Sequence, residues 1–121
     1  MTQRLNQGEI WLANLNPGRG TEPGKTRPVL IVQDQVLLDV RHPSTLVIPL
    51  TTNLIEDAYP LRIRVAADDR LEQVSDLLID QIRAIDNKRL IDGPLMCMKQ
   101  AQMQFVYQAV CEVMGFSSGT S

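Results

Sequence analysis

Apolar and polar positions alternate with period two over most of the chain, then change to helical spacing near its end. Glu9–Leu15 (EIWLANL) has Ile10, Leu12 and, after a break, Leu15 apolar with Trp11 on the opposite face, which predicts a strand. Asn16-Pro17-Gly18 ends it in a turn. Pro28–Gln33 is a nearly continuous apolar run rich in Val and Ile, the pattern of a buried strand. Asp34–His42 is mixed and predicts no element, and Pro43 closes it. Thr45–Leu50 predicts a third strand, which Pro49 would place at an edge or a bulge. Leu61–Val65 alternates cleanly, with Arg62 and Arg64 on the outward face. Val74–Ile85 fits either a strand pair or a helix, and its β-branched content and Ala84-Ile85-Asp86 ending favour strands. Asp86–Leu90 predicts a short helical turn capped by Asp86, after which Gly93-Pro94 breaks the chain. Between Met98 and Met114, apolar residues recur at 98, 101, 105, 106, 109, 110 and 113, and Gly115 is a good stop. The expected architecture is mainly β: a small β-barrel with one C-terminal amphipathic helix, a single domain over 1–121 with a flexible tail at 115–121.

Composition narrows the function classes. The 121 residues are 44% hydrophobic and 21% charged, ordinary for a globular protein, and carry a net charge of −2. That balance argues against a general nucleic-acid coat, which needs a basic surface, but leaves room for a local basic site. Residues 1–50 hold five Lys/Arg and four Asp/Glu, against seven and ten in residues 51–121. The relative basicity therefore lies in the first half. Cys97 and Cys111 form no CxxC and have no nearby His, so they predict buried thiols in a reducing cytosol rather than a zinc site. No run approaches the roughly 18 apolar residues of a membrane span. The N-terminus lacks the apolar core of a signal peptide, so a cytoplasmic protein is expected.

Candidate chemistry centres on residues 16–33, NPGRGTEPGKTRPVLIVQ. Three glycines and the cations Arg19, Lys25 and Arg27 lead directly into an apolar strand. Such a loop can bring backbone N–H groups and a guanidinium to a phosphate, and it can equally be plain solvated surface. It matches neither GxxxxGK[ST] nor GxGxxG, so nucleotide hydrolysis by those routes is not expected. Thr51-Thr52-Asn53 follows a strand directly and is either a site at a strand end or a turn bonded to its own backbone. His42 is the only histidine, which rules out a two-histidine ribonuclease mechanism within one chain; beside Arg41 it is either a surface residue or a substrate contact. Asp68-Asp69 reads as a solvated turn, and no acidic cluster has evident metal spacing.

In its ordered segments the chain resembles the MazF/PemK toxins, the ribonuclease halves of toxin–antitoxin pairs. The likeness runs from Gly8 through Val32, continues in Pro43-Ser44-Thr45 and the strand ending Pro49-Leu50-Thr51-Thr52, and returns in Asp80–Leu90 (DQIRAIDNKRL). The resemblance implies an SH3-like β-barrel with a C-terminal helix that acts as a homodimer. It also implies a metal-independent endoribonuclease cutting single-stranded RNA at short sequences, with no cofactor and a cognate antitoxin as partner. The implied catalytic residues are Arg27, Thr51 and Glu22. Substrate contacts are expected from Arg19, Gly20, Lys25, Thr26, His42 and Thr52. Pro23 and Glu9 depart from the common pattern, and the cut sequence does not carry over. Two alternatives are a same-fold toxin that inhibits DNA gyrase without cutting RNA, and an RNA-binding module without cleavage.

Overall fold

The computed structural model describes residues 4–22 and 24–116. Seven strands form an antiparallel sheet: β1 (Glu9–Asn14), β2 (Thr26–Ile31), β3 (Ser44–Thr51), β4 (Arg62–Val65), β5 (Ser75–Leu78), β6 (Arg83–Asp86) and β7 (Leu90–Cys97). A short helix, α1 (Gln35–Asp39), follows β2, and the C-terminal helix α2 spans Gln100–Val113. The strand order is β4-β5-β3-β2-β1-β7, with β6 pairing with β3. Ile63 and Val65 from one end of that order share a core with Leu95 and Met96 from the other, so the sheet curls around a common interior. The Arg70 N–H donates to Leu95 O (2.9 Å), drawing the loop after β4 against β7 without joining the two strands in a ladder. The result is the expected mainly β, barrel-like fold with a C-terminal helix.

Both faces of the central strands are buried, which explains the unbroken apolar run of β2. Leu30, Ile48, Leu50 and Ile10 face the interior beneath α2, where Met103, Val106 and Ala109 close it. Val29, Ile31, Val47, Trp11 and Ala13 face outward into a second core completed by Leu5, Leu38, Ile85 and Leu90. Consecutive residues on each strand thus enter opposite cores, as period-two geometry requires. Glu9 is held here too: its carboxylate accepts from Asn6 N (3.1 Å) and Trp11 Nε1 (3.0 Å).

Several expectations are refined. Val74–Ile85 resolves into β5, a 3-10 turn at Ile79–Gln81, and β6. Asp86 caps the next 3-10 turn as expected, accepting from Lys88 N at 2.8 Å. Helix α2 ends at Gly115 in a left-handed conformation (φ 73°), with Gly115 N donating to Glu112 O and Phe116 N to Cys111 O. Its buried face is set by Met103, Val106 and Ala109, whereas Phe105 lies outside, stacked on Tyr59 with ring centroids 5.0 Å apart. The expected flexible tail lies outside the described residues from 117 onward.

Other expectations are corrected. Cys97 is exposed and Cys111 half-buried, so neither is the buried thiol expected. Gly93-Pro94 does not break the chain: it lies within β7, which pairs with β1. A Cβ at Gly93 would stand 2.4 Å from the Trp11 ring, so glycine is required for the indole to lie flat on the strand. Pro49 sits on neither an edge strand nor a bulge, because β3 has partners on both sides. It falls where one flank passes from β6, paired through Val47, to β5, paired from Leu50, so no ladder bond there needs its missing N–H. The segment 34–42 contains α1, a helix too short to show a period, with Leu38 as its one buried residue.

Arg62 and Arg64 do not simply face water. They flank Asp76, which is 1% exposed, with Arg64 Nε at 2.6 Å and Arg62 Nη1 at 3.2 Å from its carboxylate. Ile55 N donates to the same group at 3.0 Å. Burial alone would raise the Asp76 pKa, but the hydrogen bonds from Arg64, Ile55 N and Arg62 outweigh it and hold the carboxyl below its usual value. Asp76→Ala is therefore expected to destabilise the fold by about 2–3 kcal/mol in urea denaturation, less than a fully buried pair because Arg64 can rehydrate. The folded pKa is the depressed one, so wild-type stability from this group is complete above the unfolded value of about 3.9 and is lost as pH falls through the folded value. The variant should lack this acid-linked component.

Candidate active site

Arg27 lies near the start of β2, opposite Ala13 of β1, and reaches across to the end of β3. Its Nε donates to Gly24 O (3.0 Å) and its Nη1 to Leu50 O (3.2 Å). A guanidinium has five N–H donors, so three remain for a ligand. No ion pair involves Arg27 among the described residues. Desolvation by burial pulls its pKa down, yet an arginine remains charged at neutral pH. Arg27 is thus a half-buried cation held in place by carbonyl dipoles, with its charge uncompensated by any carboxylate among the described residues.

Thr51, the residue after Leu50, ends β3. Its Oγ1 accepts from Asn53 N at 3.1 Å, which orients the side chain and leaves the hydroxyl proton available. Arg27 and Thr51 line one cleft of about 510 Å³ with Lys25, Thr26, Thr52, Asn53 and Ser75. Two of these residues are cations, several carry hydroxyls or an amide, and none is acidic. That composition suits a phosphodiester: a fork of guanidinium N–H groups for its oxygens, a hydroxyl to orient it, and positive charge to attract it.

The glycine-rich loop has a rigid neck. A Cβ on Gly24 would stand 2.6 Å from Gly18 N, and one on Gly18 would stand 2.8 Å from Gly24 N. These two glycines let the arms of the loop approach one another rather than a ligand. Asn16 Oδ1 accepts from Lys25 N (2.6 Å), and Leu15 N donates to Lys25 O (2.8 Å). Arg89 pins the same neck through Asn14 O (3.0 Å) and Asn16 O (2.7 Å), a role the sequence reading did not assign. The neck fixes Gly24 O, which in turn fixes Arg27.

The remaining expected site residues divide by position. Lys25, Thr26 and Thr52 reach the cleft. Arg19, Gly20 and Glu22 form the exposed turn of the loop, where Glu22 N donates to Arg19 O (2.8 Å), and they do not line the cleft. His42 lies beyond the opposite end of β3, about 20 Å or more of strand from Thr51, and is exposed after α1. Ser75 enters the cleft because Thr51 pairs with Asp76, a juxtaposition that only strand register reveals.

The family model described as PemK-like, MazF-like toxin of type II toxin–antitoxin systems matches residues 6–114. The endoribonuclease MazF of Staphylococcus epidermidis is 31% identical over 87 residues, covering 71% of this chain and 72% of that relative. Among solved structures, MazF of Deinococcus radiodurans has a TM-score of 0.78 at 20% identity, over 95% of this chain and 100% of that one. An endoribonuclease in complex with its cognate antitoxin from mycobacterial species has a TM-score of 0.71 at 19% identity, over 98% and 100%. The chain belongs to the PemK-like, MazF-like toxins of type II toxin–antitoxin systems.

Proposed function

We propose that the chain is a metal-independent endoribonuclease that cuts single-stranded RNA at short sequences in the cytoplasm, acts as a homodimer, and is neutralised by an antitoxin protein. The observation that carries this reading is the fixed, uncompensated Arg27 guanidinium beside Thr51 in a cleft without acids. The endoribonuclease activity named for the Staphylococcus epidermidis relative supports it. RNA brings its own nucleophile: the 2′-oxygen bonds to the adjacent phosphorus as the bond from phosphorus to the 5′-oxygen breaks. The products are a 2′,3′-cyclic phosphate and a 5′-OH end, with the leaving oxygen taking a proton from solvent. Arg27 stabilises the charge that builds on the phosphate oxygens, and Thr51 fixes their orientation for in-line displacement. Because an arginine stays charged at neutral pH even where burial lowers its pKa, Arg27 serves electrostatics better than proton donation. Lys25, Thr26 and Thr52 hold the flanking backbone, while Arg19, Gly20 and His42 contact RNA farther from the cut.

In this scheme Glu22 accepts the 2′-OH proton when the turn of the loop folds over bound RNA. Glu22→Gln is then expected to lower kcat by about 10²–10⁴-fold with little change in KM. An unchanged kcat in the variant would assign the base elsewhere. The antitoxin, on this reading, presents an acidic segment that covers Arg27 and competes directly with RNA.

A further inference from the structure

The Arg27 cleft continues into a second cavity of about 600 Å³, and the two share Pro28, Thr52 and Ser75 as a common wall. The character of the lining changes across that wall. The floor is apolar, formed by Leu12, Leu71 and Leu95. The rim carries Asp69, Glu72 and Gln73, from the loop between β4 and β5. Its one cation, Arg70, is already engaged with Asp92 (2.5 Å) and Pro94 O (3.3 Å). The Ser75 hydroxyl is nearly buried and donates to Gln73 O (3.0 Å), leaving its lone pairs as acceptors.

We infer that this second cavity is a base-reading pocket of the same site, which takes an amino-bearing nucleobase (adenine, cytosine or guanine) next to the scissile phosphate and disfavours uracil. The inference rests on the proposed RNA cleavage. Carboxylates repel a phosphodiester, so this cavity is unsuited to the RNA backbone that the neighbouring cleft attracts. An apolar floor suits the face of a base, and sequence-specific reading of RNA acts on unstacked bases through such contacts and through edge hydrogen bonds. A rim dominated by acceptors favours an edge that donates, and a carboxylate accepting from an exocyclic amino group is the natural match. Uracil alone among the four RNA bases lacks that amino group.

The test uses NMR of methyl-labelled, full-length protein titrated with two uncleavable probes, 2′-O-methyl tricytidylate and 2′-O-methyl triuridylate. Both should shift the amides of Lys25–Thr51 cleft residues. Only the cytidine probe should strongly shift the Leu71 and Leu95 methyls, with about tenfold tighter binding. The double variant Asp69→Asn, Glu72→Gln, whose amides can also donate, should bring the two probes to near equality at those methyls. Equal methyl shifts by both probes in the wild type, or no methyl shifts while the cleft amides respond, would overturn the base pocket. Silence at Lys25, Arg27 and Thr51 as well would instead strike the proposed cleavage site on which it rests.

Discussion

Replacing Arg27 with alanine is expected to lower RNA cleavage by about 10³-fold or more while the protein stays folded. Removing a single preorganised donor to a developing oxyanion costs about 10²–10³ in rate, and Arg27 supplies both a full charge and a multidentate fork. The side chain rests on carbonyls at a cleft wall rather than in either core, so its loss should leave thermal unfolding nearly unchanged. Arg27→Lys separates charge from geometry: it retains the cation but loses the planar fork, and should recover only a small part of the activity. Cleavage assays on both variants, with circular dichroism as the folding control, provide the check. Full activity in Arg27→Ala would remove Arg27 from the site.

A substrate with a single 2′-deoxy sugar immediately 5′ of the scissile phosphate should not be cut at all, because the attacking atom is missing. The prediction follows from the proposed 2′-OH attack in a cleft lined by two cations and several hydroxyls and by no carboxylate among the described residues. Binding of the deoxy substrate should be nearly unaffected, since the phosphate contacts persist. Continued cleavage would mean that water, not the 2′-oxygen, attacks phosphorus.

The elements whose signals are local were legible in the chain. Arg27 and Thr51 stand beside Pro28 and Pro49-Leu50, where apolar strands begin and end, so their strand-end positions could be read directly. That they meet depends on the pairing of β2 with β3, which Val29↔Pro49 sets. β7 was illegible because Gly93-Pro94 carries the local signature of a break; the demand for glycine comes from the Trp11 ring on another strand. The loop glycines at 18 and 24 suggested a phosphate cradle, yet their contacts are with each other. Asp69 looked like solvated turn chemistry, and its place beside the cleft arises only when the sheet curls the loop between β4 and β5 over Pro28 and Leu12. Local pattern thus placed Arg27 and Thr51 at strand ends, while the walls of the cleft they line came from long-range pairing.

The most direct test of the account is to incubate the purified protein with a long single-stranded RNA in excess EDTA and to map both ends of every cut. Cleavage is expected at a recurring short sequence, with a 5′-OH on one fragment and a 2′,3′-cyclic phosphate on the other. Strict dependence on added Mg²⁺, or fragments ending in 5′-phosphate and 3′-OH, would contradict it.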